Sequence, residues 1–249
     1  TPKAIREALQ RFSTHSYTAD KNIAVQSIQD LGEIANPEQN EQQSIETISA
    51  ANKELVIALG GDNSITYAAA LGVYGEKLST AGLITLDAHH DLRDGNSNGS
   101  PVRRLIEAGL NPKQIVQIGI NDFSNSSDYE QLAHSLGITV ITRTEVASIG
   151  IASACKKALE IAGASLGPIH VDLDVDVCDQ SVVPACPAAA PGGISAFELR
   201  QAARLLASNS LVRGLDITEI DASRDTEDQR TIRLGALLVL EAVAGYLSR

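Results

Sequence analysis

Two runs of acidic residues with one-residue spacing, Asp87-Ala88-His89-His90-Asp91 and Asp172-Leu173-Asp174-Val175-Asp176, carry the strongest chemical signal in this chain. Successive side chains of an extended strand point to opposite faces, so Asp87, His89 and Asp91 can share one side, as can Asp172, Asp174 and Asp176. Each run follows an apolar stretch that should be buried, and crowding carboxylates there costs several kcal/mol unless a cation neutralises them. Oxygen-rich donors with one imidazole suit Mn²⁺ or Mg²⁺, then Ca²⁺, better than structural zinc, and manganese is the first choice. Ligands from two separate strand ends can also hold two ions roughly 3.5–4 Å apart, an arrangement that activates water for hydrolysis. The plain alternative for either run alone is a strand end opening into a solvated acidic turn; two such runs together weigh against it.

These residues need strand tips to hold them. Short β-rich runs at 23–25, 55–59, 83–86, 115–118, 138–141, 169–175 and 211–217 alternate with helical stretches at 44–52, 64–74, 102–108, 127–136, 153–162, 196–207 and 229–247, after an opening helix with proline in its first turn. Runs such as Val56-Ile57-Ala58-Leu59 are apolar on both faces, as in a parallel sheet covered on each side. The expected fold is α/β: residues 1–249 as one domain of three layers, α/β/α, with a mostly parallel sheet. Residues 32–43 read as a polar linker, and 95–100 and 221–228 as polar loops. Ligands of such sheets gather beyond the carboxyl ends of strands, where both acidic runs begin, as do Gly60-Gly61-Asp62-Asn63-Ser64 and Asp216-Ile217-Thr218-Glu219.

The 249 residues include 43% hydrophobic ones, enough for a real core, and carry a formal net charge of -11, which argues against a nucleic-acid partner. No apolar run reaches the roughly 18 residues of a membrane span. A soluble cytoplasmic protein acting on a small molecule is expected, with Cys155, Cys178 and Cys186 as buried free thiols rather than a disulfide framework, a zinc site or a nucleophile. There is no Met, even at position 1, and native sequence, including a first strand of the fold, is expected before Thr1.

From the first helix to the last, the sequence resembles the arginase and agmatinase family, the ureohydrolases. The family pattern is a Gly-Gly-Asp-His segment, Asp-Ala-His-x-Asp, Ser-x-Asp-x-Asp-x-x-Asp and a Glu on a late strand. Here the second element is intact, and the spacing to Asp179 and Pro184 places Asp172 at the serine position. Without that register Asp172 with Asp174 is an equally good ligand pair. The resemblance implies an arginase-like fold, a homo-oligomer, and two Mn²⁺ ions bridged by Asp87 and Asp174, with Asp91 completing one sphere and His89 and Asp176 the other. Asn63 stands where arginases carry a metal-binding histidine; as a weaker ligand it implies a loosely held ion on its side, or Ca²⁺ or Mg²⁺ there. Asp179 and His90 are implied beside the ligands, Asp91 and Glu219 as catalytic, and Arg93, Asn98 and Glu219 as substrate-binding. Asn98, where arginases have a proton-shuttling histidine, points away from arginine as substrate.

The segments Gly60-Gly61-Asp62-Asn63-Ser64-Ile65, His89-His90-Asp91-Leu92-Arg93, Ser97-Asn98-Gly99-Ser100-Pro101-Val102-Arg103-Arg104 and Pro184-Ala185-Cys186-Pro187 look like the formimidoylglutamase branch. That likeness implies hydrolysis of N-formimidoyl-L-glutamate to glutamate and formamide. A cationic amidine joined to two carboxylates needs an acid at one end of the site and a fixed cation at the other: Glu219 and Arg93, Arg93 having surface pairing with Asp94 as its ordinary reading. Asn125 and Ser126 are further candidate substrate contacts. Competing readings are an agmatinase or other guanidino hydrolase releasing urea, and a metal-poor relative that binds without catalysis. A Rossmann nucleotide binder ranks low, since no Gly-x-Gly-x-x-Gly follows an early strand.

Overall fold

The structure, a computed structural model, describes every residue except 19, 24–27 and 38, and only the backbone of Lys21. In chain order its regular elements are α1 (Pro2–Leu9), β1 (His15–Ser16), β2 (Lys21–Asn22), α2 (Glu41–Ala50), β3 (Val56–Leu59), α3 (Ile65–Tyr74), β4 (Gly82–Leu86), α4 (Pro101–Ala108), β5 (Ile115–Ile120), α5 (Ser127–Leu136), β6 (Thr139–Thr142), α6 (Arg143–Ile149), α7 (Ile151–Ala162), β7 (Ile169–Asp174), α8 (Ala196–Ala207), β8 (Val212–Thr218) and α9 (Arg230–Tyr246). Strands β3 to β8 form a six-stranded sheet in the order β3-β8-β7-β4-β5-β6, parallel at every pairing. The α/β expectation holds. The strand expected at 23–25 is not seen at Ile23, and positions 24 and 25 lie outside the described residues. Helix α6 was not expected; its local signal is a capping box in which Thr142 and Glu145 satisfy each other's backbone N–H.

Helices cover both faces, and strand alternation sorts the core accordingly. Ile84, Leu86, Val116, Ile118, Val171, Leu173, Leu215 and Ile217 point into the larger apolar cluster, shared with α7, α8 and α9. Leu83 and Ile115 point the other way, into a cluster with Ala70 and Tyr74 of α3 and Val102 and Leu105 of α4. On that second face the central strands change character along their length. Register pairs Thr85 with Asp172 and Gln117, and Asp172 with Asp216, all fully buried. Two residues further on stand Asp87 and Asp174, where the strands end. A sheet face apolar at its amino end and ionisable at its carboxyl end demands a polar ligand at that end.

The strand order supplies the opening. Strands β4 and β7 are neighbours in the sheet but not in sequence, and the chain leaves them in opposite directions, β4 to β5 and β7 to β8. Loops diverging from such a switch point leave a crevice beyond the strand ends. Among the described residues no helix is long and apolar enough to cross a membrane.

Candidate metal centre

The run from Asp87 to Asp91 lies beyond the end of β4 and is not an extended strand, so its side chains converge by a route other than simple alternation. Asp87 N–H still reaches Ile118 O (3.1 Å), but the chain then turns: the Asp87 carboxylate accepts the N–H of His89 at 2.6 Å, and Asp91 takes a left-handed backbone with φ of +53°. In the second run Asp172 and Asp174 keep strand alternation, whereas Asp176 sits in a 3₁₀ turn (Val175–Val177) whose start is capped by Asp174 accepting the Asp176 N–H at 2.9 Å. Gly119, on the neighbouring strand, makes room for both runs: a Cβ there would lie 2.3 Å from Val177 and 3.4 Å from the carbonyl of Asp87.

The two runs meet. Candidate donor atoms of Asp87, His89 and Asp176 all lie within 4.8 Å of one another. His89 Nδ1 is 2.7 Å from one Asp176 oxygen and 3.5 Å from Asp87, while the other Asp176 oxygen accepts the N–H of Ala88 at 3.0 Å. Burial, then repulsion from Asp176 and Asp91, holds the Asp87 carboxyl well above the usual range, and burial with repulsion from Asp176 and Asp87 does the same to Asp174. Asp91 rises to about 7, chiefly by burial and then by Asp176. His89 moves up to about 11 because Asp176 and Asp87 accept its proton. Among the described residues no lysine or arginine pairs with these carboxylates; the imidazolium is their sole counter-charge. A buried oxygen donor set with one imidazole and surplus negative charge fits divalent ions such as Mn²⁺.

The remaining candidates surround this cluster. Asn63, 1% exposed at the start of α3, donates its amide to Asp91 (2.5 Å) and accepts the Thr66 hydroxyl on its Oδ1 (2.6 Å), so its oxygen is occupied by Thr66. Glu219, directly after β8 with φ of +59°, accepts the N–H of Asn63 at 3.0 Å and the amide of Asn98 at 3.3 Å, which brings two of the three predicted substrate contacts, Glu219 and Asn98, together on a carboxylate raised above its normal range mainly by burial. Arg93 is exposed on the loop beyond Asp91; Asp94 pairs instead with Arg103 at 2.6 Å. Asp172 lies one row below Asp174, accepting the Thr218 hydroxyl at 3.3 Å beside Asp216. His90 is buried beneath the run with Nδ1 2.7 Å from Gln117. Asp179 spends its carboxylate on Ser181 N–H (2.9 Å) and Gly192 N–H (2.7 Å), closing its own loop, and its hydrogen bonds go there rather than to the cluster.

Sequence reasoning passed over Gln117, Thr66 and His170, the last with a ring nitrogen 2.9 Å from the carboxylate of Asp216. A lone polar residue inside an apolar strand, as in Ile115-Val116-Gln117-Ile118 or Ile169-His170-Val171, is the signal that finds Gln117 and His170; Thr66, in helix α3, carries no such signal. Cys155, Cys178 and Cys186 are free and buried, and burial raises each thiol, as expected for packing residues.

Comparison with known proteins identifies the family. The sequence profile described as the arginase family matches residues 1–245. A formimidoylglutamase of Halalkalibacterium halodurans is 35% identical over 257 residues, covering 98% of this chain and 80% of that protein. The crystal structure of formimidoylglutamase from Bacillus subtilis superposes with a TM-score of 0.90 at 31% identity, covering 98% of this chain and 80% of that one. Trypanosoma cruzi formiminoglutamase, solved with Mn²⁺, gives a TM-score of 0.91 at 21% identity over 100% of this chain and 86% of its own, a likeness of fold.

Proposed function

Because this chain belongs to the arginase family, we propose that it hydrolyses the C–N bond of a linear amidine, N-formimidoyl-L-glutamate, consuming one water and releasing L-glutamate and formamide. The observation that carries the reading is the meeting of Asp87, His89 and Asp176 beside Asp91 and Asp174, with no basic side chain among the described residues but one imidazole to balance them.

Asp87, His89, Asp91, Asp174 and Asp176 would hold two Mn²⁺ ions, with Asn63 backing Asp91 through its amide. Bound ions supply Lewis acidity and an acidified water. The chain's own groups do the rest. Glu219 holds the cationic formimino end, fixed in place by Asn63 N–H and within reach of the Asn98 amide that orients the same group. Arg93 clamps a glutamate carboxylate; its guanidinium makes no ion pair among the described residues. Asp91 delivers a proton to the departing amine nitrogen, its amide neighbour Asn63 keeping the carboxylate oriented. Similarity to formimidoylglutamases over 98% of the chain supports this substrate over guanidino compounds.

The test is product analysis after incubation with added Mn²⁺ and N-formimidoyl-L-glutamate, agmatine, arginine or guanidinobutyrate. Formamide from the first compound alone is expected. Urea from a guanidino compound, with no formamide, overturns the assignment.

A further inference from the structure

The ligand run 87–91 has left the sheet, so no strand ladder fixes its backbone, yet ligands need fixed positions. Side-chain amides take over that task. The carboxamide of Asn125, on the loop after β5, accepts the N–H of His90 at 3.0 Å and donates to the carbonyl of Ala88 at 2.9 Å. One planar group thus grips the chain on both sides of His89, as a neighbouring strand would. Gln117, fully buried in β5, continues the grip: its Nε2 donates to His90 O at 2.9 Å, which leaves Oε1 to accept the Nδ1 proton of His90 at 2.7 Å. With the Asn121 N–H on Ala88 O at 3.1 Å and Asp176 on Ala88 N–H at 3.0 Å, the backbone polar groups of Ala88 and His90 are all satisfied.

The chemistry of the clamp is specific. A carboxamide offers a donor and an acceptor on two separate atoms of one planar group, which is what bonding to two backbone groups two residues apart uses here; a carboxylate at 125 would set oxygen against the Ala88 carbonyl and add charge to an already acidic site. Asn125 makes both its amide contacts to this backbone, so its place in the site is behind the ligands rather than against substrate.

We propose that Asn125, with Gln117, is a positioning residue that preorganises the metal-binding geometry of His89 by fixing the backbone around it. The inference rests on the reading of His89 as a metal ligand. Residues that orient a ligand in this way change metal affinity by about 10- to 100-fold when lost.

The test is Mn²⁺ titration of the full chain, followed by the electron paramagnetic resonance of the free ion, for wild type, His89→Ala, Asn125→Ala and Asn125→Ser, with steady-state kinetics beside it. Both Asn125 variants are expected to weaken Mn²⁺ binding at least tenfold and to lower kcat at saturating metal, with KM for N-formimidoyl-L-glutamate changing less than twofold. The serine variant, small and polar, serves if the alanine variant does not fold. Wild-type Mn²⁺ affinity in either soluble variant overturns the proposal, as does a raised KM with unchanged metal affinity, which would make Asn125 a substrate contact. If His89→Ala binds Mn²⁺ as wild type does, the ligand reading itself fails, an outcome separate from the first.

Discussion

Replacing Arg93 by alanine tests the recognition half of the proposal. The neighbouring arginines are engaged: Arg103 pairs with Asp94 and Glu107, and Arg104 grips Glu41 with two hydrogen bonds while reaching Asn96. Arg93 has no such partner among the described residues, although its backbone is held by Gly99 O at 2.9 Å and its aliphatic stem lies against Gly99. Its loss removes no ion pair among the described residues, so Tm should stay within about 1 °C. A charge-assisted hydrogen bond contributes about 1.5–3 kcal/mol, which predicts KM for N-formimidoyl-L-glutamate higher by about 10- to 150-fold in Arg93→Ala. The effect on kcat should be smaller, because the clamp grips a remote carboxylate equally in ground and transition states. Arg93→Lys should recover only part of the loss, since an ammonium cannot reproduce the guanidinium fork. Initial-rate measurements at saturating Mn²⁺ decide it. A KM within twofold of wild type, or a loss confined to kcat, refutes the clamp.

Three further outcomes follow from other parts of the site. In Gly99→Ala the new Cβ would sit 2.8 Å from Arg93 Cδ; the flexible stem must move, and KM should rise severalfold with Tm nearly unchanged, a result that an unaltered KM would contradict. Metal-free protein should lose stability as pH rises: Asp91, raised from 3.8 to about 7, holds a proton in the folded state that the unfolded chain releases, and His89, raised from 6.5 to about 11, extends the decline. Thermal melts in chelator should therefore show Tm falling from pH 5.5 to 8.5, and a rise would reverse the sign of the argument. Asp172→Asn exchanges a carboxyl that burial, then Asp216, holds well above the usual carboxylate range for an amide that carries no charge at any pH. Its Tm at pH 8.5 should exceed wild type by about 2–4 °C for each kcal/mol recovered, and a lower Tm would show that the charge itself is needed.

Much of this was legible in the sequence because the deciding signals are local. Apolar runs ending in Asp87 and Asp174 place both residues at strand tips, and the sheet follows from the alternation of strand and helix. Convergence of the two runs across the β4/β7 boundary is a property of strand order, which no single segment encodes. The left-handed turns at Asp91 and Glu219 were invisible for a different reason: neither is glycine, and tertiary contacts impose the conformation. Asn63 shows the limit of reading residue type alone, since an amide can coordinate or donate, and here Asp91 and Thr66 fix which of its atoms faces which partner. Asn125 was a candidate substrate contact; its grip on the backbone of Ala88 and His90 depends on a chain path that leaves the sheet, beyond the reach of periodicity.

The central claim is that Asp87, His89, Asp91, Asp174 and Asp176 form one divalent-cation site. Isothermal titration of chelator-stripped protein with Mn²⁺ measures it most directly, with Asp174→Asn run in parallel. Saturable binding of two ions per chain, with protons released on binding because His89 must give one up, and loss of at least one ion together with turnover in the variant, is the predicted result. Wild-type protein that takes up no Mn²⁺, or an Asp174→Asn variant that binds and turns over as wild type does, would contradict it.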